Sequence, residues 1–146
     1  TYKCALDNLH ILDYDYYFKI TDMLNTQDVA NTLLTFDEIL RQGFDGHNFI
    51  IGLSEHLRNL MVCKDKATIA LLEVSEEIKK RYEQQSSAVS ISFLMSGLNI
   101  GNQCDLYYKG SKNQRLHVEL ALMKMAFINQ AITATDLLED LKKKVD

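Results

Sequence analysis

The sequence predicts an all-α fold, a single helical bundle of about five main helices followed by a C-terminal amphipathic tail helix. Three observations support this prediction. The 146 residues include no proline and only six glycines, although chains rich in sheets and turns usually need both residue types. Apolar residues recur at intervals of three and four, which places them on one face of a helix. Short polar residues that suit helix N-caps precede several of these segments.

Periodicity and caps locate the elements in order. A first helix is predicted from Asp13 to Asn25, and a second from Asp28 to Gln42 with Gly43 in the position of a left-handed C-terminal cap. Asp45 is placed to cap a long third helix that reaches Lys64 and carries a wide apolar face. The more charged stretch 68–82 predicts one or two shorter helices, and the small polar residues of 84–90 predict a turn.

Ser90 is the predicted N-cap of a helix that extends to Tyr108. Gly97 and Gly101 lie four residues apart on it, so they share one face where another helix can approach closely. We interpret this pair as a tight helix crossing inside the domain, with a subunit contact as the alternative. The last residues from Ala131 show helical spacing of apolar side chains and lysines at the end, which indicates a separate tail helix.

The segment from Lys112 to Phe127 predicts a helix with two apolar stripes. One stripe contains Leu116, Leu120, Met123 and Phe127, and the other contains Val118, Leu122 and Met125. Arg115 and Glu119 are four residues apart between them and can form an ion pair along the helix. We hypothesise that the helix lies between its own bundle and a neighbouring protein, and that the ion pair fixes the register there. The alternative is a central helix wholly inside one bundle with the pair at its rim.

Length, charge and cysteine content limit the function. A chain of 146 residues with 47% hydrophobic side chains can form one domain with its own core. We divide it into a lead-in from a preceding domain (1–12), a helical domain (13–130) and a tail helix or start of a linker (131–146), and we expect it to be a fragment of a longer protein. A net charge of −4 argues against direct nucleic-acid binding. Three widely spaced cysteines predict a reducing compartment.

No catalytic or metal-binding motif is recognisable. Phosphate loops and dinucleotide fingerprints need clustered glycines, and di-iron bundles need Glu-x-x-His pairs; neither pattern occurs. The run from Gly52 to His56 lacks the second glycine of a nucleophile elbow. His56, Cys63, Cys104 and His117 lack the short ligand spacing of structural zinc sites. No apolar run approaches the ~20 residues that cross a bilayer, so we expect a soluble, cytoplasmic protein without membrane contact.

Three motifs, in this order, carry a resemblance to a known family. They are Gly43-Phe44-Asp45 before the long helix, Leu57-Arg58-Asn59-Leu60 within it, and Arg115-Leu116-x-Val118-Glu119-Leu120-x-Leu122 near the end. With their spacing, the chain from Asn8 to Gln130 resembles the C-terminal collar domain of the bacterial DNA polymerase III gamma/tau subunit, the motor subunit of the sliding-clamp loader. The chain departs from the family at residues 111–113, where the family often has proline or aspartate.

The resemblance implies a non-catalytic oligomerisation domain in a pentameric collar used in DNA replication. Its partners would be other gamma/tau copies and the delta and delta-prime subunits, and self-association of the isolated domain is also expected. ATP, magnesium and zinc would bind only to the N-terminal part of the parent, an ATP-hydrolysing subunit of the DNA-directed DNA polymerase holoenzyme. We predict a subunit interface formed by these residues: Arg115, Glu119, Val118, Leu122 and Tyr108. A self-contained helical adaptor that binds a partner helix or peptide is the alternative, and a helical enzyme or ligand sensor would need a deep polar cavity.

Overall fold

The computed structural model describes residues 13–145, in which every regular element is a helix. The predicted all-α fold is therefore confirmed for this part of the chain. The helices are α1 Tyr14–Asn25, α2 Val29–Arg41, α3 Gly46–Val62, α4 Lys66–Ile69, α5 Glu76–Ala88, α6 Ile91–Tyr107, α7 Gln114–Ala126 and α8 Ile128–Val145. The predicted lead-in, residues 1–12, lies outside the described residues.

Short polar side chains start these helices, as the sequence predicts. Asp45 accepts a hydrogen bond from the backbone N–H of Asn48, and Ser90 accepts one from that of Phe93. Equivalent caps begin the other helices from α1 to α7. At the end of α2, Gly43 adopts a φ of 91°, and the next residue's N–H bonds back to the carbonyl of Ile39. This is the left-handed C-terminal cap that the glycine predicts.

Helix α3 lies at the centre of the bundle. It packs along α6 and also contacts α1, α5 and α7. Its side chains Ile50, Leu53, Leu57 and Leu60 have no exposed surface, so the wide apolar face of the sequence is the centre of the core. This face holds the other helices around α3 through the burial of apolar surface.

The crossing of α3 and α6 depends on the two glycines of α6. A Cβ atom on Gly97 would lie 2.9 Å from Leu57 Cδ1, and one on Gly101 would lie 2.3 Å from Ser54 Oγ. The interpretation of a tight crossing inside the domain is therefore confirmed. The close approach offsets the helix propensity that each glycine costs, about 1 kcal/mol.

Substitution of Gly101 by valine tests this crossing. We expect Gly101→Val to lower the free energy of unfolding by about 1–3 kcal/mol, because the added methyl groups force α3 and α6 apart. Asn102→Val is the matched control, since Asn102 is exposed on the same helix. Urea unfolding of both variants measures the difference, and equal losses would show that the crossing tolerates a side chain.

The prediction of a turn at 84–90 is wrong, because α5 continues to Ala88. Two of its polar residues, Gln85 and Ser86, are buried and hydrogen-bonded rather than solvated. Ser86 Oγ donates to the Leu60 carbonyl at 2.8 Å, and Gln85 Nε2 donates to the Phe18 carbonyl at 2.8 Å. Lys64 Nζ donates to the carbonyl oxygens of Ser86 and Val89 and so caps the C-terminus of α5. Short polar residues therefore join α5 to α1 and α3.

Candidate functional site

Helix α7 presents two different sides, as its sequence predicts. Val118, Leu122 and Met125 have no exposed surface and belong to the core of the bundle. On the other side Leu116, Leu120 and Phe127 are 51%, 45% and 49% exposed. Together with the half-buried Met123 they form an apolar strip along the outside of the helix. We call these four residues the α7 face.

The burial of α7 corrects part of the predicted subunit interface. Val118 and Leu122 were assigned to that interface, but both side chains lie entirely inside their own bundle. Tyr108 is also buried, because its ring stacks on His47 with centroids 4.3 Å apart. Val118 and Leu122 therefore offer no surface to a neighbour, and Tyr108 offers little. The exposed side chains of α7 belong to its other apolar stripe.

Charged side chains flank the α7 face. Arg115 Nε lies 3.4 Å from Glu119 Oε2, and Arg115 Nη2 lies 2.9 Å from Asp37 Oδ1 on α2. Asp37 Oδ2 in turn lies 2.9 Å from Arg41 Nε. The predicted Arg115–Glu119 pair is thus confirmed as a contact, but it sits at the surface within a larger network. The hydrogen bond to Asp37 raises the pKa of Arg115, so the guanidinium stays charged.

The candidate metal ligands do not converge. His117 Nε2 donates to the Cys104 carbonyl at 2.9 Å, so the imidazole contacts the backbone rather than the thiol. Burial raises the pKa of the Cys104 thiol to about 11 and also raises that of Cys63. Neither sulfur is then a ready thiolate ligand or nucleophile. Within residues 13–145, no three histidine, cysteine or acidic side chains are close enough together to hold a metal.

His56 has a structural role that the sequence does not reveal. Its Nε2 lies 2.7 Å from Gln85 Oε1, while Gln85 Nε2 donates to the Phe18 carbonyl and to Asp22 Oδ1 at 2.8 Å each. Because the amide nitrogen of Gln85 is the donor in both bonds, its oxygen accepts, and Nε2 of His56 carries the proton. Burial lowers the pKa of His56 to about 4. The imidazole is a neutral bridge between α3, α5 and α1.

An apolar groove of about 890 Å³ runs beside the α7 face. It lies between α6 and the first half of α8, and α7 contributes to its floor. Leu120, Met123 and Phe127 belong to both surfaces. The polar residues around the groove are Ser92, Ser96 and Asn99 on α6, Lys124 on α7, and Thr135 and Asp136 on α8. Its composition suits the apolar face of a helix better than a small polar substrate.

Comparison with known protein families identifies the family of this chain. A family model described as DNA polymerase III subunits gamma and tau domain III matches residues 9–141. The chain belongs to this family. Searches of curated proteins and of solved structures found no match. No helix within residues 13–145 is long and apolar enough to cross a membrane.

Membership of the gamma/tau domain III family confirms the resemblance given by the three motifs. The match continues beyond Gln130, where that resemblance ended, so most of α8 is part of the family domain. The third motif now has a structural interpretation in this gamma/tau domain. Its Val118 and Leu122 build the core, whereas Arg115, Leu116 and Leu120 remain at the surface.

Proposed function

We propose that the chain is a non-catalytic oligomerisation domain that joins clamp-loader subunits into a pentameric collar. Its partners in this proposal are other gamma/tau copies and the delta and delta-prime subunits, and its compartment is the cytoplasm. ATP, magnesium and zinc are assigned to the N-terminal part of the parent chain, whose ATP hydrolysis drives loading of the sliding clamp. The single observation that carries the proposal is the exposed α7 face beside the Arg115 network.

The α7 face has the make-up of an interface. Its apolar side chains lie in contiguous turns of one helix, and ion pairs border them, which matches the apolar centre and polar rim of protein interfaces. Arg115 uses Nε and Nη2 in its contacts with Glu119 and Asp37. A guanidinium has five N–H groups, so others remain for acceptors on a neighbouring subunit. A second subunit would cover the apolar strip and complete these hydrogen bonds.

The ion-pair network around Arg115 also supports a rigid domain that can hold the ATPase modules together. Arg115 on α7 and Asp37 on α2 connect two helices at the edge of the proposed interface. The buried side chains of α7 attach the same helix to α3 and the core. A rigid collar of such domains would keep the ATPase modules together at one end while they move around clamp and DNA at the other.

Substitution at the α7 face tests the proposal. We expect Leu116→Asp to weaken association with delta and delta-prime at least about tenfold, because a carboxylate would be buried without a partner. Leu71→Asp is the matched control, since Leu71 is 55% exposed but lies outside α7, beyond the end of α4. Native mass spectrometry of the 146-residue chain mixed with the two subunits measures the assemblies.

Two outcomes would contradict different parts of the proposal. If the wild-type chain joins neither delta subunit nor itself at any concentration, the oligomerisation function is overturned. If Leu116→Asp assembles as well as Leu71→Asp, the α7 face is not the interface. Circular dichroism of both variants checks that the bundle is intact.

A self-contained helical adaptor is the second candidate, and the groove between α6 and α8 favours it. An adaptor would remain a stable monomer in the presence of the clamp-loader subunits and would bind an added amphipathic peptide in the groove. The same native mass spectra therefore discriminate between the two functions.

A further inference from the structure

The outer half of α8 has an apolar face with no partner within residues 13–145. Leu137, Leu138, Leu141 and Val145 are 60%, 60%, 57% and 85% exposed, respectively. Leu137, Leu141 and Val145 recur at intervals of four, and Leu138 lies three residues before Leu141. This is the spacing of a helix face that packs against another element. A helical segment of this length is only marginally stable alone in water. The face therefore needs a covering surface.

The chain's own bundle cannot supply that surface. The start of α8 packs on the bundle through Ile128, which is 6% exposed, and the half-buried Ile132. Each residue of a helix turns by about 100°, so the outer leucines point roughly 130° away from these two isoleucines. Extending or tightening α8 against its own core would still leave Leu138 and Leu141 in water.

The groove beside α8 is the complementary feature. Its apolar lining is formed by Ile100, Leu120, Met123, Phe127, Ile128 and Ile132. Along α6 it extends from Ser92 to Ile100, which corresponds to about 12 Å of helix. The outer face of α8 from Leu137 to Val145 covers the same length, about 12 Å. Groove and helix face lie on different sides of α8, so they cannot meet within one chain.

Resting on the oligomerising function proposed above, we propose that the outer half of α8 docks in the α6–α8 groove of the next copy of the chain. Such a contact joins two different surfaces and is repeated from copy to copy, which is the type of interface that closes into rings. A pairing of α8 with α8 would instead leave every groove uncovered. The docked helix adds a second contact that adjoins the α7 face, because Leu120, Met123 and Phe127 belong to both surfaces.

The charged residues at the rim of the groove are compatible with a docked α8. Lys124 and Asp136 line the groove, and neither takes part in an ion pair within residues 13–145. The outer half of α8 carries both signs, with Glu139 and Asp140 in its middle and Lys142–Lys144 at its end. A docked α8 therefore offers an opposite charge to each rim residue.

Two variants separate the helix face from the groove. Leu138→Asp with Leu141→Asp places charge on the helix face, and Ser96→Arg places a long cation on the groove wall of α6. Both sets of positions are exposed, so the bundle should fold, as circular dichroism will check. We expect each variant to weaken self-association of the 146-residue chain at least about tenfold in sedimentation velocity, because each desolvates an unpaired charge.

Matched controls exclude effects of charge alone. Lys80→Glu changes the net charge as much as the double leucine variant, but at an exposed residue of α5 that lies outside both docking surfaces. Asn102→Arg adds the same cation to α6 outside the groove. Both controls should associate like the wild type.

Mixing the two weakened variants provides the decisive measurement. The helix-face variant retains its groove and the Ser96→Arg variant retains its α8 face, so the mixture should form a one-to-one pair through the remaining good contact. If the mixture forms no pair, the docking is overturned in favour of an α8–α8 contact. If the wild-type chain associates and both variants associate equally well, the docking alone is overturned. A wild-type chain that stays monomeric also overturns the docking, and it overturns the proposed function only if the chain fails to join the delta subunits as well.

Discussion

Leu122→Ala is expected to lower the free energy of unfolding by about 2–5 kcal/mol, the range for a leucine removed from a packed core. Leu122 has no exposed surface and lies on the inner side of α7. Leu116→Ala on the outer side should change the free energy of unfolding of the single chain by less than about 1 kcal/mol, because half of this side chain is already in water. Urea unfolding at a concentration where the chain is monomeric measures both.

The same two variants should rank in the opposite order when their association with the delta subunits is measured. Leu116→Ala removes apolar area from the α7 face and should weaken association with the delta subunits, while folded Leu122→Ala keeps that surface intact. A large loss of stability for Leu116→Ala, or none for Leu122→Ala, would mean that the two sides of α7 are exchanged. Stability and assembly together therefore determine which stripe faces the core.

Most of the fold could be predicted because local signals agree with the tertiary structure. Asp45 and Ser90 cap the helices that they were expected to cap, and Gly43 ends α2 in a left-handed conformation. The apolar period of α3 predicts its central position, since a face that wide has to be covered on several sides. The close approach at Gly101 could also be predicted, because a glycine inside a helix needs a compensating contact.

The prediction failed where polar residues are buried. Gln85 and Ser86 resemble turn residues in composition, yet their side chains bond to backbone carbonyl groups of α1 and α3. Local sequence cannot show such partners, because they are more than twenty positions away. The partner of His56 could not be predicted for the same reason, since Gln85 lies on another helix.

The orientation of α7 could not be predicted from its own residues. Both stripes are apolar, and the choice between them depends on where α3 and α2 lie. The Asp37–Arg115 contact joins positions far apart in sequence and identifies the outer edge of α7. The spacing of Asp37 and Arg41, four residues apart, predicts an ion pair on α2. Nothing in the local sequence predicts that this pair also contacts Arg115. The site therefore emerges only when the helices are assembled.

Acid is expected to destabilise the chain through His56. Burial lowers the pKa of this imidazole to about 4, against an ordinary value of 6.5. Between these two values the unfolded chain binds a proton that the folded chain does not, so the free energy of unfolding falls as the pH falls. The contribution of the neutral imidazole is fully present above about pH 6.5 and is lost progressively toward about pH 4. A drop from about pH 7.5 to about pH 5 should remove roughly 2 kcal/mol of stability.

His56→Gln isolates this contribution. Glutamine does not titrate, and its amide can still donate to Gln85 Oε1, so the bridge to α5 and α1 keeps a polar partner. Wild type and variant share every other titratable group, and subtraction of their pH profiles cancels the contributions of those groups. Urea unfolding at several pH values should show that the variant loses about 2 kcal/mol less than the wild type over the same interval. Parallel profiles would mean that His56 is protonated as readily in the folded chain as in the unfolded one. In that case the hydrogen bond to Gln85, together with the Asp22 carboxylate that Gln85 contacts, accommodates an imidazolium.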